Sequence, residues 1–262
     1  GLFTKYPTPD HVIGLHVSAS VPAGKVSMKT EYTMASVDSV DITVKGKGGH
    51  GAYPHTTIDP VVIASRIVLA LQTITSRELS PLEPSVITVG SIHGGSKHNV
   101  ISDEVKLQLT LRSYNPEVRL QQIAAIKRIS KGIALSAGLD KSLAPEVYVH
   151  EDESIPSTYN NPTQTNLVRS AIANAIGEDN VLETEAVMAG EDFGLYGRTE
   201  QNVPITLFWL GGVEPSQYDA AMQSGATLPS LHSSKFAPDY KKALPTGITA
   251  MSNAAVALFN KK

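Results

Sequence analysis

Residues 36–78, SVDSVDITVKGKGGHGAYPHTTIDPVVIASRIVLALQTITSRE, hold two apolar periods joined by a glycine-rich turn. Over 36–48, Val40, Ile42 and Val44 alternate with polar residues, the two-residue period of a strand with one buried face. Over 56–78 the apolar residues shift to helical spacing, and Asp59 followed by Pro60 makes a cap and first-turn pair. Downstream, 84–95 reads as a strand. Residues 104–114 alternate cleanly, with Val105, Leu107, Leu109 and Leu111 on one face. Residues 115–138 form an amphipathic helix with Pro116 in its first turn and Gly138 at its end, and 144–152 reads as a strand. The order strand–helix–strand–strand–helix–strand predicts a ferredoxin-like α+β layer, an antiparallel sheet with two helices on one face.

The flanking segments have a different character. Residues 11–19 form an apolar strand, followed by a Pro/Gly turn at 21–25. A helix is predicted over 161–177, short strands at 181–184 and 204–212, and a last helix over 246–262, with a polar loop before it. The ferredoxin-like module of 36–152 is therefore inserted into an α/β domain built from residues 1–35 and 153–262.

Bulk properties narrow the function classes. The chain has 262 residues, a net charge of -3, 41% hydrophobic and 18% charged residues, all ordinary for a soluble globular protein. This charge gives no general pull toward nucleic acid or an anionic membrane, and no apolar run reaches the ~18–20 residues of a membrane span. The chain has no cysteine, which excludes disulfides and thiol catalysis. It opens on GLFTKYPTPDH, without an initiator Met or a signal pattern, and a core strand follows at once. We read it as an interior fragment, so whether the protein is cytoplasmic or periplasmic stays open.

Five segments hold the candidate chemistry. His16 lies in VIGLHVSA and His232 in LPSLHSSKFAPD. A neutral imidazole at a strand end or in a polar loop suits zinc and related metals; a packed, hydrogen-bonded histidine is the plainer alternative. His50 sits among four glycines in KGKGGHGAYPHTTIDP, which also holds His55. That turn lets the backbone approach a ligand closely and presents a histidine able to stabilise an oxyanion, although an exposed hairpin histidine would look the same. It lacks the ending and spacing of a phosphate loop. Asn99, in HGGSKHNVISDEV, has the amide capacity to hold a substrate carboxylate or amide. Arg112, on the next strand, could grip a carboxylate or be a surface residue. Glu191, in AGEDF, could bind or orient a metal site or belong to an acidic helix start.

Taken together and in this order, the segments GLHV, KGKGGHGAYPHTTIDP, TVGSIHGGSKHNVISDEV, AGEDF and LHSSKFAPD resemble the dinuclear-metal amidohydrolases of peptidase family M-twenty, of the aminoacylase, hippurate hydrolase and auxin-conjugate hydrolase type. The resemblance implies an α/β catalytic domain with an inserted lid that dimerises. It implies His16 and His232 as metal ligands, His50 as the lid histidine that stabilises the oxyanion in the partner subunit, and Asn99 and Arg112 as substrate contacts. It places Glu191 near the catalytic centre. Two divalent metal ions are implied, zinc first, with manganese, cobalt and nickel compatible with the same ligands. The substrate would be an N-acyl amino acid or short peptide, and the assembly a homodimer through the lid.

This sequence departs from the family at its metal site. The family's C-G-H-D segment and E-E pair have no counterpart here, and both precede the point where this chain starts. The expectation is a catalytically incomplete polypeptide, resembling the C-terminal three-fifths of the enzyme and completed by an N-terminal half, which could be a separate chain. The competing reading is a dimerisation and substrate-capture module without activity of its own.

Overall fold

Alternation in the first strand of the inserted module sets its layer. Asp38–Lys45 buries every second residue, with Val40, Ile42 and Val44 pointing inward, because successive side chains of a strand face opposite ways. The computed structural model describes residues 1–260. In chain order the strands are β1 (Val12–Pro22), β2 (Val26–Met28), β3 (Glu31–Met34), β4 (Asp38–Lys45), β5 (Gly49–His50), β6 (Ser85–Gly94), β7 (Val100–Ile101), β8 (Glu104–Ser113), β9 (Glu146–Val149), β10 (Thr158–Asn160), β11 (Val181–Glu183) and β12 (Ile205–Val213). The helices are α1 (Leu2–Lys5), α2 (Pro60–Thr73), α3 (Pro116–Ser136), α4 (Pro162–Ile176), α5 (Pro215–Ser224) and α6 (Tyr240–Phe259). They divide into two compact units: residues 1–33, 158–187 and 192–262 form the first, and 34–157 with 188–191 the second. No helix among the described residues is long and apolar enough to cross a membrane.

The second unit is an antiparallel sheet of order β6-β8-β4-β9, the ferredoxin-like arrangement. Helices α2 and α3 cover one face. Ile63, Ile67 and Leu71 of α2 and Val118 and Ile126 of α3 pack with Ile42, Leu107 and Leu111 of the sheet. Asp59 caps α2 by accepting from the Val61 N–H at 2.8 Å, and Asn115 caps α3 through the Glu117 N–H at 2.9 Å. Where the chain enters and leaves the unit, Val37 and Ile155 exchange backbone hydrogen bonds at 2.9 Å each way.

One charge is built into this layer. Asp38 is fully buried, and its Oδ1 accepts from Arg119 Nε at 2.8 Å and Ser154 Oγ at 2.7 Å. The hydrogen bond to Asp38 is the leading cause that holds the Arg119 guanidinium above its ordinary pKa range.

The first unit is a mixed sheet of order β1-β12-β2-β11. β1 runs parallel to β12, with Val12 opposite Ile205 and His16 opposite Trp209; β2 is antiparallel to β12, and β11 parallel to β2. Helices α4 and α6 pack on it through Val168, Ile172, Ala250 and Ala254 against Val26, Met28 and Phe208. β1 stands at the edge of this sheet, and Val12, Ile13, Leu15 and Val17 are each half-buried. Tyr240, Leu244 and Ile248 of α6 are exposed at one-turn intervals.

After β12, two elements differ from expectation. The last helix begins at Tyr240 rather than 246 and holds Pro245 inside it. Proline removes a single helical hydrogen bond near the start, and Thr246 Oγ1 donates to the Lys242 carbonyl at 2.8 Å beside it. Lys261 and Lys262, expected in that helix, lie outside the described residues. The segment read as a polar loop contains α5, started by Pro215, capped by Glu214 through the Gln217 N–H at 3.0 Å, and ended by Gly225 in the left-handed region. It buries only Ala221, too little to leave an apolar period.

Arg119→Met should destabilise the protein by about 3–5 kcal/mol, because it strands the buried Asp38 carboxylate. Urea unfolding of the variant measures this.

Candidate active site

In the first unit the site is built on the β1–β12 pair. His16 is half-buried, and its Nδ1 lies 2.7 Å from the Val17 carbonyl oxygen. A carbonyl only accepts, so Nδ1 carries the proton and Nε2 presents its lone pair. The ring rests beside Trp209, with centroids 5.1 Å apart. Two residues earlier on the same strand face, a Cβ built at Gly14 would fall 2.6 Å from the Phe193 ring. This glycine thus admits the aromatic residue of AGEDF onto the strand that bears His16.

His232 is exposed, in a loop, with φ +65°. A left-handed residue other than glycine costs roughly 1–2 kcal/mol, and histidine is among those that tolerate it better. The loop is tied by the Ser233 N–H to the Ser230 carbonyl at 3.1 Å and the Phe236 N–H to the Ser233 carbonyl at 3.0 Å. Phe236 closes on the far end of the β1–β12 pair: a Cβ at Gly212 would lie 3.3 Å from its ring and 3.0 Å from Val17. The loop that carries His232 is thus anchored through Phe236 at the level of Val17, the residue after His16. Among the described residues no three His, Asp or Glu side chains gather into a group able to hold a metal ion.

In the second unit, β5 and β7 form a two-stranded ribbon with His50 opposite Val100. The Gly51 N–H donates to the Asn99 carbonyl at 2.8 Å, which brings His50 and Asn99 together at its tip, both exposed. Its glycines serve the chain's own backbone rather than a ligand. A Cβ at Gly46 would sit 2.5 Å from the Ile58 carbonyl oxygen, and one at Gly48 2.7 Å from that of Ile101. The N–H groups of Gly46 and Gly48 already donate to the Asp103 carbonyl and carboxylate, each at 2.8 Å, so they offer no phosphate cradle. His55 lies in a 3-10 turn, its ring 6.2 Å from that of Tyr53. Arg112 is half-buried on β8, and a Cβ at Gly190 would stand 3.2 Å from its Nη1 and 2.0 Å from Val37 Cγ2. Arg112 is thereby placed against the residue that precedes Glu191, itself half-buried.

Residues 35–136 match the family described as the peptidase dimerisation domain. Thermostable carboxypeptidase 1 of Saccharolobus solfataricus is 35% identical over 254 residues, covering 96% of this chain and 59% of that protein. N-acetyldiaminopimelate deacetylase of Enterococcus faecalis is 35% identical, covering 96% of this chain and 61% of that one. Residues 35–136 of this chain are the dimerisation domain of an M-twenty peptidase. The chain spans about three-fifths of the length of the curated relatives it matches. A structure described as a candidate aminohydrolase from methicillin-resistant Staphylococcus aureus superposes with TM-score 0.80 at 29% identity, over 96% of this chain and 60% of that one. A dinuclear-metal-binding peptidase of family M-twenty from Bacillus subtilis shares the fold at TM-score 0.70 and 24% identity, over 95% and 57% of the two chains.

Sequence reasoning missed Trp209, Phe193 and Tyr53, which contact His16, Gly14 and His50. Gly14 was the available signal, since a glycine inside an apolar strand marks a close approach.

Gly190→Ala should destabilise the second unit by about 1–3 kcal/mol through overpacking against Val37. Val37→Ala in the same chain should relieve most of the loss, and thermal unfolding of the single and double variants reads both.

Proposed function

We propose that this chain forms part of a metal-dependent amidohydrolase that cleaves the amide bond of N-acyl amino acids or short peptides. The observation that carries the reading is His16, whose Nδ1–H is held by a backbone carbonyl so that Nε2 keeps its lone pair as a ligand atom. Such an arrangement around the non-coordinating nitrogen is usual for metal-bound histidine. Relatives named as deacetylases and a carboxypeptidase at 35% identity support the reaction class.

In this reading residues 1–35 and 153–262 belong to the catalytic domain and 36–152 to the lid. His16 and His232 each offer one imidazole donor, which fits a divalent ion but is too few donors for a tight site. The remaining ligands would come from a portion of the protein corresponding to the two-fifths of the relatives that this chain does not span. Two such ions, zinc or alternatively manganese, cobalt or nickel, would supply Lewis acidity toward water and the scissile carbonyl. His50 donates a hydrogen bond to the oxyanion of a partner subunit. Asn99 and Arg112 hold the substrate carboxylate, and Glu191 orders the approach to the centre.

In the protein with its complete catalytic domain, His16→Ala and His232→Ala should each lower bound metal, read by elemental analysis, and abolish hydrolysis of N-acetyl amino acids. His50→Ala should leave metal content unchanged and lower kcat by about 100- to 1000-fold, the usual loss of one oxyanion donor. Metal loss in His50→Ala would make His50 a ligand instead. If no assembly with the complementary segment is active, the chain is a dimerisation and substrate-capture module.

The dimerisation domain implies a homodimer. Sedimentation at assay concentration should give twice the protomer mass, and an active monomer would exclude action of His50 in a partner subunit.

A further inference from the structure

The turn after β5 holds His50 by its unreactive side. The Ala52 N–H donates to His50 Nδ1 at 3.1 Å. An amide nitrogen only donates, so Nδ1 accepts and bears no proton, and the single proton of the ring sits on Nε2. Tyr53 packs its ring against His50 edge to face, with centroids 5.5 Å apart. Tyr53 is itself fixed along the backbone: its N–H donates to the His50 carbonyl at 2.9 Å, and its own carbonyl accepts from the Thr56 N–H at 3.1 Å and Thr56 Oγ1 at 2.9 Å. Pro54 follows directly and restricts the chain further.

We infer that residues 52 and 53 form a tautomer lock that fixes His50 as a neutral Nε2–H donor, with Tyr53 as its positioning residue. The inference rests on the oxyanion role given to His50 above. It narrows that role to the donation of one hydrogen bond by a neutral ring. An exposed histidine without these two contacts would sample three χ1 wells and both neutral tautomers. The edge-to-face ring selects one well, and the amide selects one tautomer.

Nuclear magnetic resonance on the full, 15N-labelled chain tests the lock without reference to turnover. A through-hydrogen-bond 15N–15N coupling between the Ala52 amide and His50 Nδ1 is expected, together with an unprotonated Nδ1. Tyr53→Phe keeps the ring and should keep the coupling. Tyr53→Ala should lose it; in the protein with its complete catalytic domain the same change should lower kcat about threefold or more, in proportion to the added wells, with KM little changed. The amides of Gly51 and Val100 report whether the ribbon stays folded in each variant. A protonated Nδ1, an absent coupling in the parent chain, or a Tyr53→Ala variant that retains both coupling and kcat overturns the inference. Failure of the functional reading looks different: His50→Ala would leave turnover intact while the coupling in the parent chain persists.

Discussion

Parallel pairing of β1 with β12 is the constraint on which the chain path depends. Two parallel neighbours cannot be joined by a tight turn; the chain must travel back along the sheet before it pairs. Here the return runs from Pro22 to Ile205 and includes β2, β11 and α4 of the same unit and the whole of the second unit. The register of that one pair sets His16 opposite Trp209 and leaves Val17 at the level where Phe236 closes the His232 loop. Slipping it by one residue would turn His16 to the other face of the sheet.

Two histidines in this chain receive opposite instructions from the backbone. The Val17 carbonyl accepts a hydrogen bond from the Nδ1–H of His16, so Nε2 carries the lone pair. An amide points at the Nδ1 of His50, so its outer nitrogen is an N–H. The same side chain is left with a lone pair on Nε2 in one unit and with an N–H there in the other. Neither instruction involves another charged group; one neighbouring peptide suffices each time. Backbone groups suit this task because their direction is set by secondary structure and does not change with pH.

Legibility in the sequence followed burial. The β4, α2, β6, β8, α3 and β9 order was readable because each element buries one face of a sheet or helix layer, and that leaves a period of two or of 3.6 residues. Helix α5 buries a single alanine and leaves none, so its segment reads as a polar loop. The start of α6 was hidden by Pro245, which reads as a boundary unless its place in the helix is known. Candidate site residues could be picked out as histidines and carboxylates in polar or glycine-rich settings. Their partners could not: Trp209 reaches His16 through strand register and Phe193 reaches Gly14 across the chain, and neither is a local property. The glycines around His50 were visible, but what they admit, the carbonyls of Ile58 and Ile101, depends on pairing over tens of residues.

The backbone exchange between Val37 and Ile155 closes the continuous segment of the second unit between them on itself. A module whose entry and exit are clasped places little demand on the length or course of the chain that delivers it, since the loop-closure cost for its host is that of a short gap rather than of its whole length. Such a segment can be transplanted. A host fold could gain it, lose it or exchange it by recombination at two neighbouring points with its own strand order undisturbed. The clasp therefore makes the unit a portable cassette, and the ribbon with His50 at its tip travels with it.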